Sequence, residues 1–151
     1  MITRGVKAIY LPEHFENPMI LTTSEDVDDM FTILLADDIN AVQFFSLDRP
    51  HTPAGWPDHE LIAGVRKDRN AGVLSSMDEK CDPVGHVVSV GKPELGRGPV
   101  YYTCVDSVHD FPLFSEVPIE TVRRAVKEFV ASGGKRPACV EWDHRGFYKE
   151  Y

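Results

Sequence analysis

Long hydrophobic runs are missing from these 151 residues. No stretch approaches the roughly 20 apolar residues that cross a bilayer. The opening MITRGVKAIYLPEHF has neither the apolar segment nor the small-residue cleavage site of a secretory signal, so the expected location is the cytoplasm, with no membrane partner. Cysteine is scarce: Cys81, Cys104 and Cys139 are odd in number, far apart and form no CxxC pair. In a reducing compartment they read as small apolar residues of the interior. Basic residues are outnumbered, with 16 Lys and Arg against 24 Asp and Glu, a net charge of −8. Such a chain repels phosphate backbones, which disfavours direct binding of nucleic acid. Internal repeats, low-complexity tracts and linkers are also missing.

The acid surplus is uneven. Residues 1–40 hold eight acids and two bases, residues 41–118 eleven acids and seven bases, and residues 119–151 five acids and seven bases. A surface of this sign attracts a basic partner and speeds the encounter. A chain of this length buries roughly 68–70% of the surface it exposes when unfolded, so it needs neither metal nor disulfide to fold.

Hydrophobic periodicity sets the elements. Val6 to Leu11 reads as a strand ended by Pro12. Thr22-Thr23-Ser24 before Glu25, Asp26, Asp28 and Asp29 reads as a helix start, with hydroxyls capping free N–H groups and acids meeting the positive end of the dipole. Val27, Met30, Phe31, Leu34 and Leu35 follow at helical spacing, and Asp37-Asp38 end the helix. Strands are expected at Ala41–Ser46, His59–Arg66, Gly72–Ser76, His86–Val90, Val100–Cys104 and Ala138–Trp142. Lys67-Asp68-Arg69-Asn70 is a hairpin turn. The strands at 86–90 and 100–104 are expected to pair across the turn through Pro93, Gly96 and Gly98, and Asp106–Glu116 to be irregular. Pro118 opens a second helix at its first position. Its stripe is Ile119, Val122, Val126, Phe129 and Val130, and Gly133-Gly134 stop it. This order predicts an α+β fold: a mostly antiparallel sheet of six to seven strands with two helices packed on one face.

Catalytic signatures are lacking. Gly91-Lys92-Pro93-Glu94-Leu95-Gly96-Arg97-Gly98 carries prolines and no following helix, so it does not cradle phosphate. His59-Glu60 has Ala63 where a zincin needs its second histidine. The H-x-E and P-C-x-x-C pieces of a zinc nucleoside deaminase are both missing, and no serine sits in G-x-S-x-G. The six histidines are scattered. A Cys-His or His-Glu pair that meets only in space stays open as the basis of a small hydrolase. No catalytic, cofactor or metal-binding residues are assigned.

Recognition features are plentiful. Trp56, Phe111, Phe114, Trp142, Phe147 and Tyr148 lie in or beside expected loops and the tail, either packed inward or exposed as interface anchors. Asp58 and Glu60 flank Trp56, Asp106 and Asp110 flank Phe111, and Glu116 follows Phe114. Asp78, Glu79 and Asp82 lie in the polar stretch Met77–Pro83. The expected partner surface is therefore Trp56, Asp58, Glu60, Asp78, Glu79, Asp82, Asp106, Asp110, Phe111 and Glu116. The first-helix acids are read instead as capping residues.

Ser115-Glu116-Val117-Pro118, Val122-Arg123-Arg124-Ala125-Val126-Lys127-Glu128-Phe129, Gly133-Gly134-Lys135-Arg136-Pro137 and Cys139-Val140-Glu141-Trp142 resemble the ending of the Imm1 family of bacterial immunity proteins. Asp48-Arg49-Pro50, Gly55, Asp58-His59-Glu60-Leu61, Gly64-Val65 and Gly98-Pro99-Val100 with a following tyrosine are similar to its middle. The resemblance runs through nearly the whole chain, and implies one immunity domain over residues 1–151 with an α+β fold and no catalytic activity. The implied partner is a cognate toxin domain, basic and deaminase-like of the SCP1.201 (DddA-like) group, held as a 1:1 heterodimer with its active site occluded. Another nuclease-type toxin is the alternative partner.

Overall fold

The computed structural model describes residues 4–81 and 85–143. Asp82, His144 and the tail aromatics Phe147 and Tyr148 lie outside them. The strands are β1 (Val6–Ile9), β2 (Met19–Leu21), β3 (Ala41–Ser46), β4 (His59–Arg66), β5 (Ala71–Asp78), β6 (Gly85–Val90), β7 (Pro99–Cys104), β8 (Ser107–Pro112), β9 (Val117–Pro118) and β10 (Glu141–Asp143). The helices are α1 (Ser24–Ala36) and α2 (Ile119–Ala131). Neither is long and apolar enough to cross a membrane.

The main sheet runs β10-β6-β5-β4-β3-β1-β2, with β9 added beside β5, and every pairing within it is antiparallel. Strand alternation sorts side chains between its faces. On one face Phe44, Leu61, Ala63, Val65 and Leu74 meet Phe31 and Leu34 of α1 and Val122, Val126 and Phe129 of α2. On the other, Ala41, Ile62, Val73 and Val88 meet Val100, Tyr102, Cys104 and Phe111 of a separate two-stranded ribbon, β7-β8. The α+β class and the helix-bearing face are as expected, with the sheet covered on both sides.

Three short strands, β2, β8 and β9, add to the expected set. The expected pairing of 86–90 with 100–104 is corrected: β6 lies between β5 and β10, and β7 pairs with β8 over Pro99↔Pro112 to Cys104↔Ser107. The segment between them is diverted by backbone bonds. Gly91 and Lys92 N–H donate to the Phe114 carbonyl, Leu113 N–H to Gly98 and Phe114 N–H to Gly96. These carry the chain over the sheet and back. Gly91 passes the Glu116 carbonyl so closely that a Cβ has no room. Residues 107–112, expected to be irregular, are strand for the same reason. The last strand begins at Glu141 rather than Ala138, because the Glu128 carboxylate of α2 takes the Ala138 N–H. Pro118 is the N-cap of α2 rather than its first residue.

Candidate partner-binding surface

The buried acids fall in two internal clusters. In the first, Arg49 leaves the 48–57 loop and makes two hydrogen bonds to Asp78 at the end of β5 (2.8 and 2.9 Å), and one to the Gly134 carbonyl after α2 (2.9 Å). It also lies 3.1 Å from Asp58. Asp58 accepts from His59 Nδ1 (3.0 Å), and His59 Nε2 accepts the Ser46 N–H (2.7 Å). The second bond requires an unprotonated Nε2 and so places the proton on Nδ1. Burial would raise the Asp58 carboxyl, but the bonds from His59 and Arg49 outweigh it and hold it below the usual carboxylate range. Asp78 is held low in the same way, against its burial, by Arg49 and the Lys80 N–H. Burial, helped by Arg49, keeps His59 neutral. This arrangement closes His59 to base catalysis. A histidine oriented by an aspartate can act as a base only through its second nitrogen, and here that nitrogen is engaged by backbone.

In the second cluster, Glu116 is 1% exposed. Arg69 forks onto both its oxygens (2.7–3.1 Å) and the Tyr102 hydroxyl donates to it at 2.9 Å. Burial, then Glu116, pushes the Tyr102 hydroxyl above its ordinary value. Tyr102 packs over Gly64, where a Cβ would meet its ring. Burial pushes the Cys104 thiol up to about 11 and raises that of Cys139, away from the thiolate a nucleophile needs. Among the described residues no three His, Cys, Asp or Glu side chains could hold one metal ion.

The residues expected at a partner surface therefore divide. Asp58, Asp78 and Glu116 are buried in these clusters, and Phe111 is 2% exposed beneath the ribbon. Glu116 and Phe111 pack within the fold, whereas Asp58 and Asp78, though paired with Arg49, line a groove with Lys80, Lys135 and Arg136. Asp82 is outside the described residues. Trp56 is 70% exposed, on a loop closed by the Thr52 N–H bond to its carbonyl (2.7 Å). Glu79, Asp106 and Asp110 are exposed, and Glu60 is half-buried. Of these, Glu60 and Asp110 are brought together, in a groove of about 310 Å³ between β8 and the sheet that also holds Ser75, His86 and His109. Glu60 there accepts from Gln43 Nε2 at 2.6 Å.

Tyr101 and Val108 escaped the sequence reading. They stand 56% and 65% exposed on the outer face of the ribbon, where Tyr101 is paired with Asp110 and Thr103 with Val108. The alternation of Val100, Tyr102 and Cys104 would have placed Tyr101 outward, once that strand was known to have one covered face. Of the first-helix acids, Asp26 caps as expected, Asp28 instead pairs with α2, and Glu25 and Asp29 are exposed. Asp26 accepts the N–H groups of Thr22 and Thr23 (2.9 and 3.2 Å), and Thr23 Oγ1 accepts that of Asp26 (3.1 Å). Asp28 holds Arg123 and Lys127 of α2.

Buried ion pairs thus close the scaffold, and acids and apolar side chains remain on its outer faces. The family profile described as "Immunity protein Imm1" matches residues 16–144. The chain belongs to this family of immunity proteins, whose role is protection against a cognate toxin. No curated protein matches the sequence.

Proposed function

We propose that this chain is the cytoplasmic antidote to a secreted nucleic-acid-targeting toxin, namely a DNA cytosine deaminase, which it binds 1:1 and blocks without catalysis of its own. The observation that carries the reading is the family match across residues 16–144. The deaminase is named from the resemblance described above, and the acid surplus of the chain suits it. Such an enzyme must draw a base into a pocket beside zinc along a path lined with positive charge. An acidic face seated in that path excludes the nucleic acid without touching the metal. A standard interface covers roughly 800 Å² of each partner. That is about a tenth of the 8182 Å² surface of the described residues, so one face suffices.

The test is co-expression with the toxin domain encoded beside this gene, followed by pull-down and a deamination assay on single- and double-stranded DNA. A stable complex with deamination abolished is expected. A complex with a toxin that cleaves rather than deaminates would replace the deaminase with a nuclease. The absence of any complex, with toxicity undiminished, would overturn the antidote reading.

A further inference from the structure

We propose that the outer face of the β7-β8 ribbon, together with the Glu60–Asp110 groove at its side, is the surface that docks the toxin, with a lysine or arginine of the toxin entering the groove. The inference rests on the immunity reading and names the surface that performs it.

Four observations converge on this face. Tyr101 and Val108 lie diagonal to one another across the ribbon, close enough for their side chains to form one exposed apolar patch. Tyrosine is a favoured interface anchor, since it brings large area with few rotatable bonds. Asp106 at the turn and Asp110 beside Tyr101 rim the patch, and residues 99–112 contain no lysine or arginine. The nearest base, Arg66, reaches the Tyr101 carbonyl but is paired with Asp68 at 3.0 Å. The groove alongside presents two carboxylates, a hydroxyl and two imidazoles, all able to accept from a cationic side chain.

Other faces fit a basic partner less well. The groove lined by Arg49, Lys80, Lys135 and Arg136 against Asp48, Asp58 and Asp78 carries one more base than acid, and its Asp58 and Asp78 already share Arg49. The helix face has its Asp28 taken by Arg123 and Lys127. A second apolar patch, Phe15 with Met19 and Ile20 at the β2 edge, is exposed, but Phe15 and its neighbour Glu13 precede the segment that matches the family. The ribbon lies wholly within that segment.

The experiment measures the dissociation constant of the toxin domain encoded beside this gene for the wild-type chain and four variants. Asp106→Lys/Asp110→Lys and Tyr101→Ala are each expected to weaken binding about tenfold or more, as loss of anchors and desolvated charges does, with unchanged thermal midpoints. Asp29→Lys/Glu120→Lys makes the same change in net charge on the helix face and is expected to stay within about threefold of wild type, because charges beyond a Debye length are screened. Should Tyr101→Ala fail to fold, Val108→Ala takes its place. Wild-type affinity in both ribbon variants overturns the assignment while immunity stands, as does equal weakening by the helix-face pair or loss of binding confined to Phe15→Asp. If the wild-type chain itself fails to bind, the immunity reading falls and this inference with it.

Discussion

Arg49 and Asp78, 29 residues apart in the chain, are locked together by two parallel hydrogen bonds in the interior. Arg49 also pairs with Asp58, so Arg49→Ala leaves two buried carboxylates without their cation, whereas Asp78→Ala leaves Arg49 with Asp58. Arg49→Ala is expected to lower stability by about 3–5 kcal/mol and Asp78→Ala by less, each read as a fall in the urea midpoint at constant m. Arg49→Met/Asp78→Leu still leaves Asp58 buried without its cation, and is therefore expected to be less stable than Asp78→Ala.

Tyr102→Phe removes one hydroxyl and leaves the ring over Gly64. Bonds to a charged group contribute about 1.5–3 kcal/mol, so a loss in that range is expected on thermal unfolding. Glu116→Ala should cost more, since it also strands Arg69 and the Tyr102 hydroxyl.

Acid should weaken the fold in two stages. His14 accepts the N–H groups of Tyr10 and Leu11 through Nδ1 (3.1 and 3.0 Å), and burial lowers its pKa; His59 is lowered likewise, burial first. Both therefore bind protons more readily unfolded than folded. Stability is fully present above the unfolded value of about 6.5 and declines as pH falls from there toward the folded values. His14→Asn supplies an amide oxygen as acceptor but cannot titrate, so its stability should decline less steeply over this range. Asp58 and Asp78 are lowered instead. Their contribution persists above the unfolded value of about 3.9 and disappears as pH falls through their folded values. Urea midpoints from pH 8 to pH 3 would show both stages.

Thr23→Ala should destabilise by about 1 kcal/mol, because Thr23 and Asp26 cap α1 reciprocally. Asp26 is itself held below the usual carboxylate range, chiefly by the Thr22 N–H. Asp26→Asn should therefore weaken the cap without abolishing it. Helical ellipticity and the thermal midpoint report both effects.

Elements with strong local patterns were legible. Ala41–Ser46 and His59–Arg66 end where their alternation and flanking turns place them, and α1 ends just before Asp37-Asp38. The ribbon was not. Ser107-Val108-His109-Asp110 has one wet face and little β-branched content, so its strand character comes from β7 beside it rather than from its own residues. Neighbourhood in sequence argued for pairing 86–90 with 100–104. The crossing shows only in contacts between distant segments, the approach of Gly91 to Glu116 and the backbone bonds of residues 91–98 with 113–114.

The candidate surface was half legible for a similar reason. Acids can be counted along a chain, but whether each meets a base is decided in three dimensions. Arg69 finds Glu116 from 47 residues away, and that contact turns an expected surface acid into an internal one. Asp106 in the turn and Asp110 on β8, in a hairpin with no lysine or arginine to claim them, stay outside.

The ribbon leaves the sheet after β6 and returns before β9 at nearly one point, because residues 91–98 and 113–114 are bonded to each other. Its inward residues are committed to the core, whereas Tyr101, Thr103, Val108 and Asp110 project from its other face. Substitutions at these four positions leave the clasp at its base and the packing beneath it intact. A lineage pressed by a changing adversary could therefore rewrite the outward half of this hairpin repeatedly, one side chain at a time, while the body that presents it stays the same.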